Sequence, residues 1–324
     1  MHANAYATIR KLQIRMNPEI EPMPTTDNQD VRKAVIAAAG FGTRFLPYTK
    51  AMPKEMLPLV DKPIIQHIVE ELVDAGIEDI IIVSGDHKSA IDDHFRDTSR
   101  ELADNLKQGG KTEILEHIDD IGKMANFVFI NQRGPQGNGT PVLNAEHLLD
   151  PREPFIYTFA DDFVEASPSR FKQLIDVRKN LGGSVLTCVT RDAPDDYKKY
   201  GYVSGEEIEP GILDTEKVVE KPGTKEESPS SLATVSGYVF DPIIFEYLKE
   251  QLKDHDATKG EFKIQDSMQA MIDDGHHIYS REIQGGTFYD TGDKLEYLKT
   301  VVDFALERED IGQKFKDYLL GRLQ

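Results

Sequence analysis

The 324-residue sequence contains one cysteine, Cys188, and no tryptophan. A lone thiol has no intrachain partner, which excludes a disulfide-stapled secreted scaffold. No window approaches 18 consecutive apolar residues, so no transmembrane helix is expected. Basic residues are scarce: 38 Lys and Arg stand against 57 Asp and Glu, for a formal charge of −19. A field of that sign repels nucleic-acid backbones and anionic lipid, so neither is expected as a partner. A small anionic ligand needs Lys, Arg, backbone N–H groups or a metal gathered locally against that field. The remainder is 39% hydrophobic and 29% charged, a globular composition long enough for one large α/β domain or two smaller ones.

Residues 1–30 lack the apolar core of a secretory signal and end in a stretch rich in Pro, Asn and Asp. They are expected to form a flexible extension. The first strong apolar run is Lys33–Ala39, KAVIAAA, which reads as a buried parallel strand closed by Gly40. Ile64–Ala75 reads as a helix with Ile64, Ile65, Ile68, Leu72 and Ala75 on one face, and Asp79–Ser84 as a second buried strand. Helical patterns follow at Lys88–Phe95, Ser99–Gln108, Pro141–Leu149 and Arg170–Asn180. Strands are expected at Phe127–Asn131, Phe155–Ala160 and Ser184–Thr190. This alternation predicts a parallel α/β sheet with helices on both faces. Beyond residue 190 the pattern is less regular, with strand-like Tyr200–Gly205, Lys217–Glu220, Thr234–Phe240 and Ile278–Ile283. Helices are expected at Asp241–Gln251, Gln265–Asp274, Leu295–Leu306 and Ile311–Leu323. No linker divides the middle, which predicts one catalytic body over 31–310 with two lobes, followed by a terminal helix at 311–324.

The first strand runs into Gly40–Arg44, GFGTR. Glycines directly after a strand let the backbone approach a phosphate and aim N–H groups at it, so Gly40, Gly42 and Thr43 are candidate nucleotide contacts. A dinucleotide fingerprint needs a third glycine three residues after Gly42, where Phe45 stands; a Walker loop needs Gly-Lys-Ser/Thr, which does not follow. Arg44, Lys50 and Lys54 gather within 11 residues of a strongly acidic chain, as a bound polyphosphate requires. Strand Phe155–Ala160 delivers Asp161 and Asp162, and Asp290 stands between a strand-like segment and a helix. Carboxylates at strand ends are hard-oxygen ligands suited to Mg²⁺.

Taken together, Gly40–Pro63, GFGTRFLPYTKAMPKEMLPLVDKP, resembles the signature of sugar-nucleotide pyrophosphorylases, the nucleotidyltransferases that join a nucleoside triphosphate to a sugar 1-phosphate. KEMLPLVDKP, Lys54–Pro63, is most similar to the bacterial UTP–glucose-1-phosphate uridylyltransferases, and the likeness continues at intervals to about Thr300. The resemblance implies a Rossmann-like fold with a mixed, mostly parallel central sheet and a smaller sugar-binding lobe. It implies Mg²⁺ held by Asp161 and Asp290, with Asp162 as the alternative and Asp293 as a helix cap. It puts Ala39, Gly40, Glu55, Gln132 and Gly137 at nucleotide-binding positions. Tyr200-Gly201-Tyr202-Val203 and Val219–Pro222, VEKP, resemble the family's sugar-phosphate segments, which implies sugar contacts from Gly201, Glu220, Lys221 and Gly237. Two stretches depart from the family pattern: Gly137-Asn138-Gly139-Thr140-Pro141, which differs within Asn138 to Pro141 from the usual Gly-Leu-Gly-His-Ala, and Lys263 with Gln265 in GEFKIQDSM.

The implied reaction converts UTP and α-D-glucose 1-phosphate to UDP-glucose and pyrophosphate. The attacking phosphate oxygen is already anionic, so no general base is required, and Arg44, Lys54 and Lys221 become the catalytic cations. Similar enzymes form dimers or tetramers, and a homo-oligomer with a cytoplasmic location is expected here. Transfer from dTTP, a different sugar 1-phosphate, and a non-catalytic nucleotide-sugar-binding regulator are the alternatives.

Overall fold

The computed structural model describes residues 30–258 and 260–322. The extension expected over 1–30 lies outside them, save for Asp30. Among the described residues, thirteen strands and ten α-helices alternate. In chain order they begin β1 Lys33–Ala38, β2 Pro58–Leu59, β3 Lys62–Pro63, α1 Ile64–Asp74, β4 Asp79–Ser84, α2 Ser89–Phe95, α3 Arg100–Gln108, α4 Thr112–Ile121 and β5 Asn126–Asn131. They continue with α5 Gly139–Ala145, β6 Phe155–Phe159, β7 Asp162–Ala166, α6 Arg170–Leu181, β8 Ser184–Thr190, β9 Gly201–Glu209, β10 Ile212–Glu220 and β11 Leu232–Phe240. The last are α7 Ile244–Asp254, α8 Ile264–Asp273, β12 Ile278–Glu282, β13 Gly286–Asp290, α9 Lys294–Glu307 and α10 Gly312–Arg322.

Nine strands form one mixed sheet in the order β5-β4-β1-β6-β11-β8-β12-β10-β9. β5, β4, β1 and β6 are parallel, while β11 runs against both β6 and β8, and β10 against β12 and β9. Side-chain alternation explains why β1 reads as one continuous apolar run. Ala34 and Ile36 pack into the core on the face covered by α1 and α6. Val35 packs into the core on the other face, with Val142 of α5 and Leu248 of α7. A strand buried on both faces has no polar side to show in its sequence.

β11 joins the two lobes. Its C-terminal residues Tyr238–Phe240 pair with β6, while Ala233 and Thr234 pair with β9 as well as β8. The register breaks between Thr234 and Tyr238, where Gly237 has φ +100°. Besides the short strands β2 and β3, two elements were not expected. In α4 only Leu115 and Ile121 are buried, too thin an apolar stripe to stand out. β7 follows β6 after only Ala160 and Asp161, with no glycine or proline to announce the turn. It pairs with β13 in a separate two-stranded ribbon that sets Asp162 opposite Asp290.

Candidate active site

The sheet's strand order reverses at β1: β4 and then β5 lie to one side, β6 to the other. Crevices for ligands form at such switch points, beyond the carboxyl ends of the strands. A cleft of about 820 Å³ opens there. Ala39, Gly40, Gly42, Thr43, Arg44 and Lys54 line one wall, and Gln132 and Gly137 extend it past β5. Asp161, Asp162 and Asp290 form the floor, and Gly201, Glu220 and Lys221 the opposite wall. The structure therefore gathers residues from positions 39 to 290, except that Glu55 and Gly237 do not line the cleft, and neither does Lys50.

The Gly40–Arg44 loop is shaped by a specific need for glycine. Gly42 has φ +61°, and a Cβ there would stand 3.0 Å from the Thr49 methyl and 3.1 Å from Lys54 Cβ. Thr49 Oγ1 donates to the Gly42 carbonyl at 2.8 Å and ties the loop to the turn beyond it. Lys54 Nζ is ion-paired with Asp161 Oδ2 across the cleft floor. Burial alone would push the Asp161 carboxyl up, but Lys54, helped by Arg44 and Lys88, holds it below its ordinary value. Lys54 is held above its own by Asp161 and Glu55, against the opposing effect of burial. Both groups are thus charged at neutral pH.

Glu55 turns away from the cleft. It is fully buried, and both its oxygens accept from Lys88 Nζ, at 2.8 and 2.9 Å; the same ammonium donates to the Ala38 carbonyl at 2.6 Å. Lys88 thereby fixes the end of β1 and the turn carrying Lys54. It escaped the sequence reading because a lysine at the start of an amphipathic helix looks like an ordinary exposed one.

Asp161 and Asp290 meet around Gly292. A Cβ on that glycine would stand 3.0 Å from Asp161 Oδ2, 3.2 Å from Asp290 Oδ1 and 3.4 Å from Arg44 Nη1. The missing side chain leaves a small space flanked by two carboxylate oxygens. Thr291 N and Oγ1 donate to the Asp161 carbonyl at 3.1 and 2.6 Å, and Arg44 Nη1 to the Gly292 carbonyl at 3.0 Å. Asp290 Oδ2 accepts from the Tyr200 hydroxyl at 2.7 Å; burial raises the carboxyl's pKa, and this bond opposes that rise. No group of three or more His, Cys, Asp or Glu that could hold a metal occurs among the described residues. Two hard carboxylates around a cradle fit a cation such as Mg²⁺, which takes one or two protein carboxylates and completes its shell with phosphate and water.

Asp162 is engaged differently. Ser236 donates to it from Oγ and from its backbone N–H at 3.3 Å, and Arg170 Nη1 stands 3.8 Å away. Burial raises its pKa to about 7. Arg170, fully buried, also pairs with Glu71 at 3.1 Å, so a charged chain runs from helix α1 to the cleft floor. Asp293 accepts from Leu295 N at 2.9 Å and Glu296 N at 3.3 Å, capping α9.

On the opposite wall Gly201 makes room for Glu220: a Cβ there would stand 2.9 Å from Glu220 Oε2. Glu220 lies 3.3 Å from Lys221 Nζ, and burial raises the Glu220 carboxyl's pKa. Lys221 adopts φ +50°, with its N–H donating to the Tyr200 carbonyl at 3.1 Å. The two departures from the family pattern prove to be one unit. Asn138 Nδ2 donates to Gln265 Oε1 at 3.1 Å, and Asn138 Oδ1 accepts from Ile264 N at 2.8 Å. Gly137, at φ +138°, permits this approach, since a Cβ there would stand 2.1 Å from the Phe262 carbonyl oxygen.

Charge in the cleft is balanced rather than basic. Arg44, Lys54, Lys199, Lys221 and Lys263 face Asp86, Asp161, Asp162, Glu220, Glu261 and Asp290. Phosphate binding here calls for a divalent cation to supply the positive excess.

Residues 33–305 match the Nucleotidyl transferase family. The UTP–glucose-1-phosphate uridylyltransferase of Bacillus subtilis is 41% identical over 293 residues, 90% of this chain and 97% of the relative. A UTP-bound UGPase from Acinetobacter baumannii superposes with a TM-score of 0.79 at 30% identity, covering 90% of this chain and 99% of that one. A UDP-glucose pyrophosphorylase complexed with UDP-glucose gives 0.75 at 33% identity, covering 86% and 100%. The chain belongs to the nucleotidyl transferase family and groups with its UTP–glucose-1-phosphate uridylyltransferases.

Proposed function

We propose that the protein transfers a uridylyl group from UTP to α-D-glucose 1-phosphate, releasing pyrophosphate and forming UDP-glucose. The observation that carries this reading is the convergence of Arg44, Lys54, Asp161, Asp290, Glu220 and Lys221 on one cleft at the sheet's switch point, in a chain 41% identical to a uridylyltransferase. A phosphate oxygen of the sugar 1-phosphate attacks the α-phosphorus; the bond from that phosphorus to the bridging oxygen breaks, and pyrophosphate leaves with the electron pair. The nucleophile is already an anion, so no side chain takes a proton. Lys221 holds it, and Glu220 accepts hydrogen bonds from the sugar hydroxyls. Arg44 and Lys54, with the N–H groups of the Gly40–Thr43 loop, offset charge on the triphosphate and on the leaving group. Asp161 and Asp290 would hold Mg²⁺, which when bound would supply positive charge to offset that of the phosphates.

Ala39, Gly40, Gln132 and Gly137 belong to the nucleotide side of this reading, with Gln132 reading the base edge through its amide, which both donates and accepts. Gly237 and Glu55 enter it as supports for the two walls. The catalytic body spans 31–310, with 311–324 as a terminal helix. No described helix is long and apolar enough to cross a membrane, and the reading includes a cytoplasmic location. A homodimer or tetramer is favoured by apolar side chains exposed along the last two helices: Leu295, Leu298, Leu306, Tyr318 and Leu320. The test is pyrophosphate release with Mg²⁺ across UTP, dTTP, ATP and GTP against glucose, galactose and N-acetylglucosamine 1-phosphates. UTP with glucose 1-phosphate is expected to give the highest kcat/KM. Silence across the whole matrix would leave a nucleotide-sugar-binding regulator instead.

A further inference from the structure

The loop between β13 and α9 is gripped from both lobes. From the nucleotide side, Thr291 is bonded to the Asp161 carbonyl and Arg44 to the Gly292 carbonyl. From the sugar side, the Tyr200 hydroxyl donates to Asp290 Oδ2 at 2.7 Å and Lys199 Nζ stands 3.6 Å from Asp293 Oδ2. Tyr200 makes a second contact from the same residue: its carbonyl accepts from Lys221 N–H at 3.1 Å, and Lys221 keeps a left-handed backbone there. The ring that carries the hydroxyl is held in turn, edge-on to Phe288 with centroids 5.8 Å apart, and with the Arg191 guanidinium 5.6 Å from its centroid.

We infer that Tyr200 is a positioning residue that links the metal-binding carboxylate Asp290 to the phosphate-binding Lys221, so that the ion and the sugar phosphate are set in one geometry. A carboxylate ligand is useful only when its lone pairs face the ion. Tyr200 occupies Oδ2 from one side, while the Gly292 N–H bonds Oδ1 at 3.0 Å, which fixes the plane of the carboxyl group. A Phe at position 200 keeps the ring packing and the backbone bond to Lys221 but frees Oδ2 to rotate.

This inference rests on the reading that Asp161 and Asp290 hold a divalent ion, and the test separates the two. The dissociation constant of UDP-glucose is measured by calorimetry with and without Mg²⁺. The ratio of the two constants reports how much the ion strengthens product binding, independently of turnover. The parent protein is expected to show a clear Mg²⁺-dependent gain. Tyr200→Phe is expected to reduce that gain about 10-fold or more, the usual effect of losing a partner of a metal ligand, with binding in the absence of Mg²⁺ within twofold of the parent. In an Asp290→Asn background the same substitution is expected to change the ratio by less than twofold. The KM for glucose 1-phosphate should rise in Tyr200→Phe while that for UTP stays within twofold. No Mg²⁺-dependent gain in the parent would overturn the metal reading. A gain in the parent that survives in Tyr200→Phe would overturn the role of Tyr200 alone, and so would an equal loss in the Asp290→Asn background.

Discussion

Lys88→Met tests how the Gly40–Arg44 loop is held. The substitution keeps most of the aliphatic stem and removes the ammonium. That ammonium makes three short bonds in a fully enclosed site, two to Glu55 and one to the Ala38 carbonyl. Glu55 is 0% exposed, so it has no water to turn to. Burial already pushes the Glu55 carboxyl up and the Lys88 ammonium down, and each is kept charged by the other. With Lys88 gone, Glu55 must take up a proton, and the Ala38 carbonyl loses its side-chain donor. Breaking one side of a buried pair costs about 3–5 kcal/mol, a large share of a typical stability of about 5–15 kcal/mol. Urea unfolding of Lys88→Met, Glu55→Leu and the double variant gives the cycle. The double variant is expected to be more stable than the sum of the single losses predicts, by about 2 kcal/mol or more. Because Glu55 adjoins Lys54, the KM for UTP should rise as well. A loss below about 1 kcal/mol in Lys88→Met would refute the argument that this pair anchors the loop.

Burial lowers the pKa of His67 to about 4, and its ring stacks on Phe163. A folded pKa below the ordinary 6.5 means that the unfolded chain binds the proton better. This contribution is therefore present above pH 6.5 and lost as pH falls toward 4. At pH 5 the loss is about 2 kcal/mol, and the difference between the unfolding free energies measured by urea at pH 7.5 and 5 should shrink by that amount in His67→Leu. Gly137→Ala drives a Cβ into the Phe262 backbone, so it should raise the KM values by about 10-fold and lower stability by 2 kcal/mol or more. Gly275→Ala, at φ +89° with nothing within 4 Å, should cost only about 1 kcal/mol by the same unfolding assay.

Periodicity and local motifs carry a long way in this chain. β4 and β8 fall on the residues expected of them, and the glycine loop, the Asp161 turn and the VEKP turn sit where strands end in the sheet. Each is a local feature: an apolar run, then a glycine, a carboxylate pair or a proline. Contacts between distant residues are another matter. Alternation up to residue 190 suggests a wholly parallel sheet, yet β11 enters antiparallel between β6 and β8, which no local pattern announces. Lys88 bonding Ala38, Tyr200 bonding Asp290, and Asn138 bonding Gln265 join residues 50, 90 and 127 positions apart. Resemblance supplied Glu55 as a nucleotide position, but its carboxylate is committed to Lys88. Asn138 and Gln265 looked like two separate departures and are two halves of one hydrogen bond. The acidic surplus of the sequence persists in the cleft itself, where six carboxylates meet five basic side chains.

The central claim is that this cleft joins a nucleoside triphosphate to a sugar phosphate by charge and positioning alone. Pyrophosphate release from UTP and glucose 1-phosphate with Mg²⁺, compared among the parent, Asp161→Asn and Lys221→Ala, tests it most directly. The account predicts that each variant loses about 10²–10³ in kcat while its melting transition stays cooperative. Near-parental turnover in either variant would contradict it.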